Sequence, residues 1–180
     1  TYDSVAPTVT INQAAGQPDP ARTGPISFTV VFTEPVTGFD GGDVTLSASD
    51  APGSLSAAVT EIAPLDGTTY QVAVSGMTGP GDVIASIAAG AITDLAGNPN
   101  APSTSTDNSV TFDPVVPVVT CVRRAAPDPT NAATVPFTVT FAKPVSGVDA
   151  TDFTLATGGG LTGASVAGVG GSGAIWTVTV

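Results

Sequence analysis

Apolar and polar residues alternate with a period of two along much of this chain. In the stretch 26–33, Ile26, Phe28, Val30 and Phe32 point one way while Ser27, Thr29, Val31 and Thr33 point the other. That is the signature of a strand with one buried face. The same parity returns in Val135, Phe137, Val139 and Phe141. Fully burying four such side chains contributes on the order of 1.5–3 kcal/mol each. A one-residue slip would turn all four into water, so the register is strongly specified. Further strands are expected at about 8–12, 44–48, 56–62, 69–75, 82–88 and 109–113. No long segment carries apolar residues at helical spacing. Seven short strands in the first 113 residues predict an all-β chain with an immunoglobulin-like sandwich.

Composition agrees with many strands and tight turns. The 180 residues include 21 Gly and 16 Pro, and of the 15 acids only Glu34 and Glu61 are Glu. Asp favours turns and caps, where its short side chain bonds nearby backbone, whereas Glu favours helix surfaces.

The chain repeats itself. Residues 18–46 align without gaps on 127–155, with 14 identities in 29 positions. Pro18, Asp19 and Pro20 match Pro127, Asp128 and Pro129, and Phe28, Val30 and Phe32 match Phe137, Val139 and Phe141. The following turn repeats too: Pro35, Val36, Gly38, Asp40 and Asp43 match Pro144, Val145, Gly147, Asp149 and Asp152. Residues 69–74 fall on 175–180. Such self-similarity predicts tandem domains, here 1–113 and 114–180. The second copy stops after the counterpart of the fifth strand and is expected to lack the last two strands. A sandwich short of two strands exposes core and open edges. Two readings follow, a chain that continues past Val180 and completion by strand donation from a neighbouring subunit.

Charge and residue inventory remove several functions. The formal net charge is −11, with four basic side chains and no His. Without His there is no Ser-His or Cys-His dyad and no His-based zinc site. Four scattered cations cannot form the basic footprint that nucleic acid requires. One Cys, Cys121, excludes an intrachain disulfide. No run of about 18 apolar residues occurs, so membrane insertion is not expected. No signal-peptide pattern occurs either, which places any export signal outside these residues. Sugar binding would need exposed aromatics; only Tyr2 and Phe39 are left for that, the other aromatics being assigned to the core.

The runs Ala6–Thr10, Phe28–Phe39, Asp66–Tyr70 and Ile92–Asn98 resemble the bacterial Ig-like repeat family of long exported adhesins, surface-layer and other cell-surface proteins. The resemblance covers residues 3–113 and continues to Val180. It implies extracellular display on a bacterial surface, tandem arrays and a non-enzymatic role, with calcium at domain junctions in some relatives. The second copy departs from the pattern at Ala142-Lys143-Pro144, where the first reads Thr33-Glu34-Pro35.

If the strands alternate up and down, the pole where the chain enters collects Asp3, Glu34, Asp40, Asp43, Asp66, Asp94, Asn98 and Asp107. A hard cation with 6–8 oxygen ligands would relieve repulsion among so many carboxylates. The calcium candidates are Asp3, Glu34 and Asp94, assisted by Asn98 or a backbone carbonyl. The plainer reading has Asp40 and Asp43 capping a short turn and the other acids solvated. Between the copies, Asp113-Pro114-Val115-Val116-Pro117 has two prolines and little slack, which predicts a semi-rigid array. The expected role is a non-catalytic spacer or fibre-wall module whose partners are neighbouring Ig-like domains of the same chain or of adjacent subunits. The alternatives are a self-assembling fibre subunit closed by strand donation, and an adhesin domain that binds a carbohydrate or protein of a host or matrix.

Overall fold

The alternating run at 26–32 becomes an inner strand of a four-stranded antiparallel sheet. The computed structural model describes residues 2–180 and divides into two units, Thr1–Val115 and Val116–Val180. In chain order the first unit contains β1 (Val9–Gln13), β2 (Ile26–Phe32), β3 (Val36–Thr37), β4 (Val44–Thr45), β5 (Gly53–Glu61), β6 (Thr69–Met77), β7 (Gly81–Ile84), β8 (Ser86–Ile87), β9 (Thr93–Asp94) and β10 (Ser109–Phe112). One layer is the sheet β1-β2-β6-β5; the facing layer is assembled from the pairs β7–β10, β4–β8 and β3–β9.

The alternation predicts which side chains meet between the layers. Phe28, Val30, Val72 and Val74 from the sheet and Val83, Ala85 and Val110 from the facing layer are all 0% exposed. Phe32, Phe39 and Tyr70 pack edge to face, with ring centroids 5.1–5.9 Å apart. That geometry contributes about 0.5–1.5 kcal/mol per pair beyond burial. Phe39 is therefore a core residue and not the exposed aromatic expected above, while Tyr2 is fully displayed.

Two expected strands are shorter than the alternation suggested. The run 44–48 pairs only at Val44–Thr45, because Leu46 already accepts from the Ser49 amide in a turn. The run 82–88 breaks at Ala85, where the chain leaves β10 for β4. Asn108 satisfies Ala85 there on both sides, its carbonyl accepting from the Ala85 amide and its Nδ2 donating to the Ala85 carbonyl.

The second unit contains β11 (Val119–Arg124), β12 (Pro136–Phe141), β13 (Gly168–Ser172) and β14 (Ile175–Thr179) in one sheet of order β11-β12-β14-β13. This repeats the first sheet strand for strand. Phe28 lies opposite Val72 and Phe137 opposite Val178; Val30 lies opposite Tyr70 and Val139 opposite Trp176. The turns repeat as well. Asp40 and Asp149 both cap a single 3-10 turn, with φ −136° and −137°, and each forms a reciprocal capping box with Asp43 or Asp152. The plainer reading of Asp40 and Asp43 is thus the correct one.

The second copy differs in cover. Phe137, Phe141, Phe153 and Trp176, assigned to a core from sequence, are only half-buried. Among the described residues no second sheet faces β11-β12-β14-β13, so the apolar side chains keep their orientation but lack a partner layer.

The acidic pole as candidate functional site

Three carboxylates separated by 31 and 60 residues meet at one end of the first unit. Asp3 precedes β1, Glu34 follows β2, and Asp94 ends β9. One carboxylate oxygen from each lies within 4.8 Å of the others. The fold brings them together because β9 pairs with β3, placing Asp94 opposite Val36, two residues beyond Glu34.

Asp94 is the organising member and is only 4% exposed. Its Oδ1 accepts from the amides of Ala96 and Asn98, both at 2.8 Å, and its Oδ2 accepts from Asn98 Nδ2 at 2.8 Å. The Asn98 side-chain donor, followed by the amides of Asn98, Ala96 and Gly97, holds the Asp94 carboxyl below the usual carboxylate range, against an opposing push from desolvation. The sequence Asp94-Leu95-Ala96-Gly97-Asn98 folds this way because Gly97 takes a φ of +90°, which costs glycine little.

Glu34 shows the reverse behaviour. Desolvation, then the charges of Asp3 and Asp94, raise its carboxyl above its ordinary value. The cluster is one well-satisfied carboxylate with a less satisfied one beside it.

Two oxygens 2.3–2.6 Å from a shared calcium can lie up to about 5 Å apart, so no pair among the three carboxylates is too widely spaced to share an ion. A carboxylate has about four acceptor sites, and three hydrogen bonds together with the nearby Gly97 amide already engage most of those of Asp94. Asn98 fits less well than expected. Its amide nitrogen faces Asp94 Oδ2 and, at 3.4 Å, the Asp3 carbonyl. It buttresses the carboxylates as a donor rather than offering an oxygen.

The other acids assigned to this pole do not join the cluster. Asp66 accepts from Thr68 within its own turn. Asp40 and Asp43 serve their capping box. Asp107 lies at the far end of β1, where its amide reaches Asn12 Oδ1 and its carbonyl accepts from the Gln13 amide. The stretch 104–107 runs parallel to β1 along its edge instead of turning back at the entry pole, with Thr104 bridging Thr10.

Sequence reasoning missed Asn100, which is 3% exposed. Its Oδ1 accepts from Ile92, and its Nδ2 donates to the carbonyls of Ala88 and Ala101. The only sequence signal was Asn98-Pro99-Asn100, a loop composition with no periodicity.

The two shifted carboxyls have opposite linkage. Asp94 titrates lower in the folded state, so its stabilisation is complete above the unfolded value of about 3.9 and is lost as pH falls through the folded value. Glu34 titrates higher when folded, so its ionisation opposes folding, and protonation as pH falls through the raised value removes that opposition. In metal-free buffer, Glu34→Gln is expected to raise the first unit's Tm at pH 7. Asp94→Asn is expected to lower it and to flatten its fall as pH drops below the unfolded carboxylate value. Calorimetric melts from pH 7 down through the acid range check both signs.

A family model described as bacterial Ig-like domain matches residues 3–112. Comparison with curated proteins and with solved structures gives no match.

Proposed function

The chain belongs to the bacterial Ig-like domain family, and on that basis we propose that it is a non-catalytic spacer module of an exported surface or filament protein. The observation that carries this reading is the repetition itself. Two successive units share strand order, register and capping turn. They are joined through Asp113-Pro114-Val115-Val116-Pro117, whose prolines limit backbone freedom. A chain built by repeating one stiff unit with short linkers holds whatever it carries at a fixed distance. In the first unit, burial of the apolar face of β2 and β6 resists unfolding.

Small-angle scattering tests the spacer role. A narrow, salt-insensitive distance distribution is expected, broadening when Pro114 and Pro117 are both replaced by Gly while the melting transitions stay in place. A distribution equally broad in both proteins overturns it.

The acidic pole adds calcium to the proposal. Asp3, Glu34 and Asp94 would hold the ion, with Asn98 bracing Asp94 and the Asp3 carbonyl. Bound there, calcium would offset the desolvation that chiefly raises Glu34 and the added repulsion from Asp3 and Asp94. Millimolar calcium is expected to raise the first unit's Tm by several degrees over chelator, and Glu34→Gln to abolish the rise. Identical melts with calcium and chelator refute the site and leave the spacer reading standing.

A further inference from the structure

The first unit begins and ends side by side. β1 is its first strand, and residues 103–112 are its last run. That run stays antiparallel to residues 81–87, with Phe112 opposite Gly81, Ser109 opposite Ile84, and the Ser103 amide donating to the Ile87 carbonyl. It lies parallel to β1, and Thr104 bridges Thr10 in that sense. Backbone hydrogen bonds join the two segments along their length. Ala101 donates to Pro7, Thr104 to Val9, Ile11 to Thr104 and Gln13 to Asp107, at 2.6–3.1 Å.

One side chain fastens the same seam. Asn12 Oδ1 accepts from the amides of Thr106 and Asp107 at 2.9 and 3.1 Å, and from the hydroxyls of Ser105 and Thr106 at 3.0 and 3.3 Å. Backbone amides only donate, so the atom that faces them is the amide oxygen. Asn12 is half-buried and residues 104–107 are exposed, so polar contacts rather than apolar cover hold this stretch to β1. The second unit has a different residue at that place. Asn12 lies opposite Thr29 and Arg123 opposite Thr138, and a guanidinium has no acceptor to offer.

This arrangement decides how the unit meets tension. A pull on the two ends of the unit draws β1 back toward Pro7 and draws 103–112 forward toward Asp113. Parallel neighbours are then pulled in opposite directions along their common axis. The bonds of the seam share the load and must fail together, whereas strands drawn apart from one end lose their bonds in turn.

We propose that the seam between β1 and residues 104–107 is the tension-bearing contact of the first unit, with Asn12 as its latch. Four donors on one oxygen hold 105–107 against β1, and the backbone bonds on either side keep that oxygen in place. The use of such a seam rests on the spacer reading. The seam itself belongs to a single unit, so the scattering experiment on the linker can fail while the seam stands, and the reverse.

The test pulls the intact chain by its two ends at constant load and reads the first unit's unfolding rate, the quantity that governs forced unfolding. That event is recognised by the roughly 300–400 Å of chain it releases. Asn12→Ala is expected to speed it about tenfold, the scale of one well-made hydrogen bond. Thr106→Val, at an exposed position, removes one hydroxyl donor and is expected to speed it about threefold. Asn12→Asp keeps an acceptor oxygen and is expected to unfold at the parent's rate. Moving the second handle to Ala89 removes the shear. Ala89 is exposed and follows Ala88, whose carbonyl accepts from Asn100, next to Ala101 and the start of β1. Both handles then sit at one end of the unit, and β1 peels from Val9 before Asn12 is reached. In that direction Asn12→Ala is expected to leave the rate unchanged. Equal speeding in both directions overturns the proposal, because Asn12 is then an ordinary stabilising residue. So does a parent-like rate for Asn12→Ala under end-to-end load, or an Asn12→Asp chain that unfolds as fast as Asn12→Ala.

Discussion

Phe28→Ala is expected to cost the first unit about 3–5 kcal/mol, while Phe137→Ala costs the second unit well under half as much. The two residues occupy the same place in the repeat and the same register, opposite Val72 and Val178. They differ in what lies above them. Phe28 is 0% exposed between two layers, so truncation removes the whole transfer free energy and leaves a cavity that its neighbours cannot fill. Phe137 is half-buried on a face open to solvent, where truncation leaves no closed cavity and water takes up the space. At about 4–8 °C per kcal/mol for a domain near this size, the first transition should fall by roughly 15 °C or more. Calorimetry on both variants reads this directly. Equal losses would mean that the second face is covered in solution.

Strand positions were legible where the alternation ran long enough to bury a face. Residues 26–33 announced β2 because four alternate apolar side chains leave one workable register. β3 and β9 are two residues each, too short to carry a period, and they form only because the Asp94 turn brings Thr93 beside Thr37. Phe39 was misread for a related reason. It follows a turn glycine, outside any alternating run, and its burial comes from rings at positions 32 and 70 that only the tertiary fold brings near. At the acidic pole, strand direction alone predicted the meeting of Asp3, Glu34 and Asp94. It failed for Asp107, because the rule assumes each loop returns at its own end whereas residues 104–107 extend along β1. The role of Asn98 as donor was not readable either, since residue type fixes neither which way an amide faces nor what it faces. The aromatic residues of the second unit were assigned to a core, yet Phe137, Phe141, Phe153 and Trp176 are only half-buried. Periodicity specifies which way a side chain points, and burial requires something on the other side.

Gly76→Ala is expected to destabilise the first unit by about 2–4 kcal/mol, a large cost for so small an exchange at an exposed residue. Gly76 lies in β6 at φ +95°, one residue before Met77, which pairs with Gly53 of β5 at φ +130°, where the ladder shifts register between Gly53 and Ser56. A β-carbon at Gly76 would overlap the backbone carbonyl of Ser54, and one at Gly53 would overlap that of Gly76. Neither obstacle is a side chain that can rotate away, so the two strands must separate. Backbone strain adds to the overlap, because an L side chain at positive φ costs about 1–2 kcal/mol by itself. Gly90 separates the two effects. It has φ +72° with open space around it, so Gly90→Ala carries the strain without the collision and is expected to cost only about 1–2 kcal/mol. Denaturant melts of the two variants give the difference, and equal losses would show that the close approach at the bulge contributes nothing. The bulge also bends β5 at the edge of its sheet, a device that keeps an open edge from pairing with other chains. Forcing the strands apart at Gly76 is therefore expected to bring concentration-dependent association along with lost stability, whereas Gly90→Ala melts at a lower temperature and stays monodisperse.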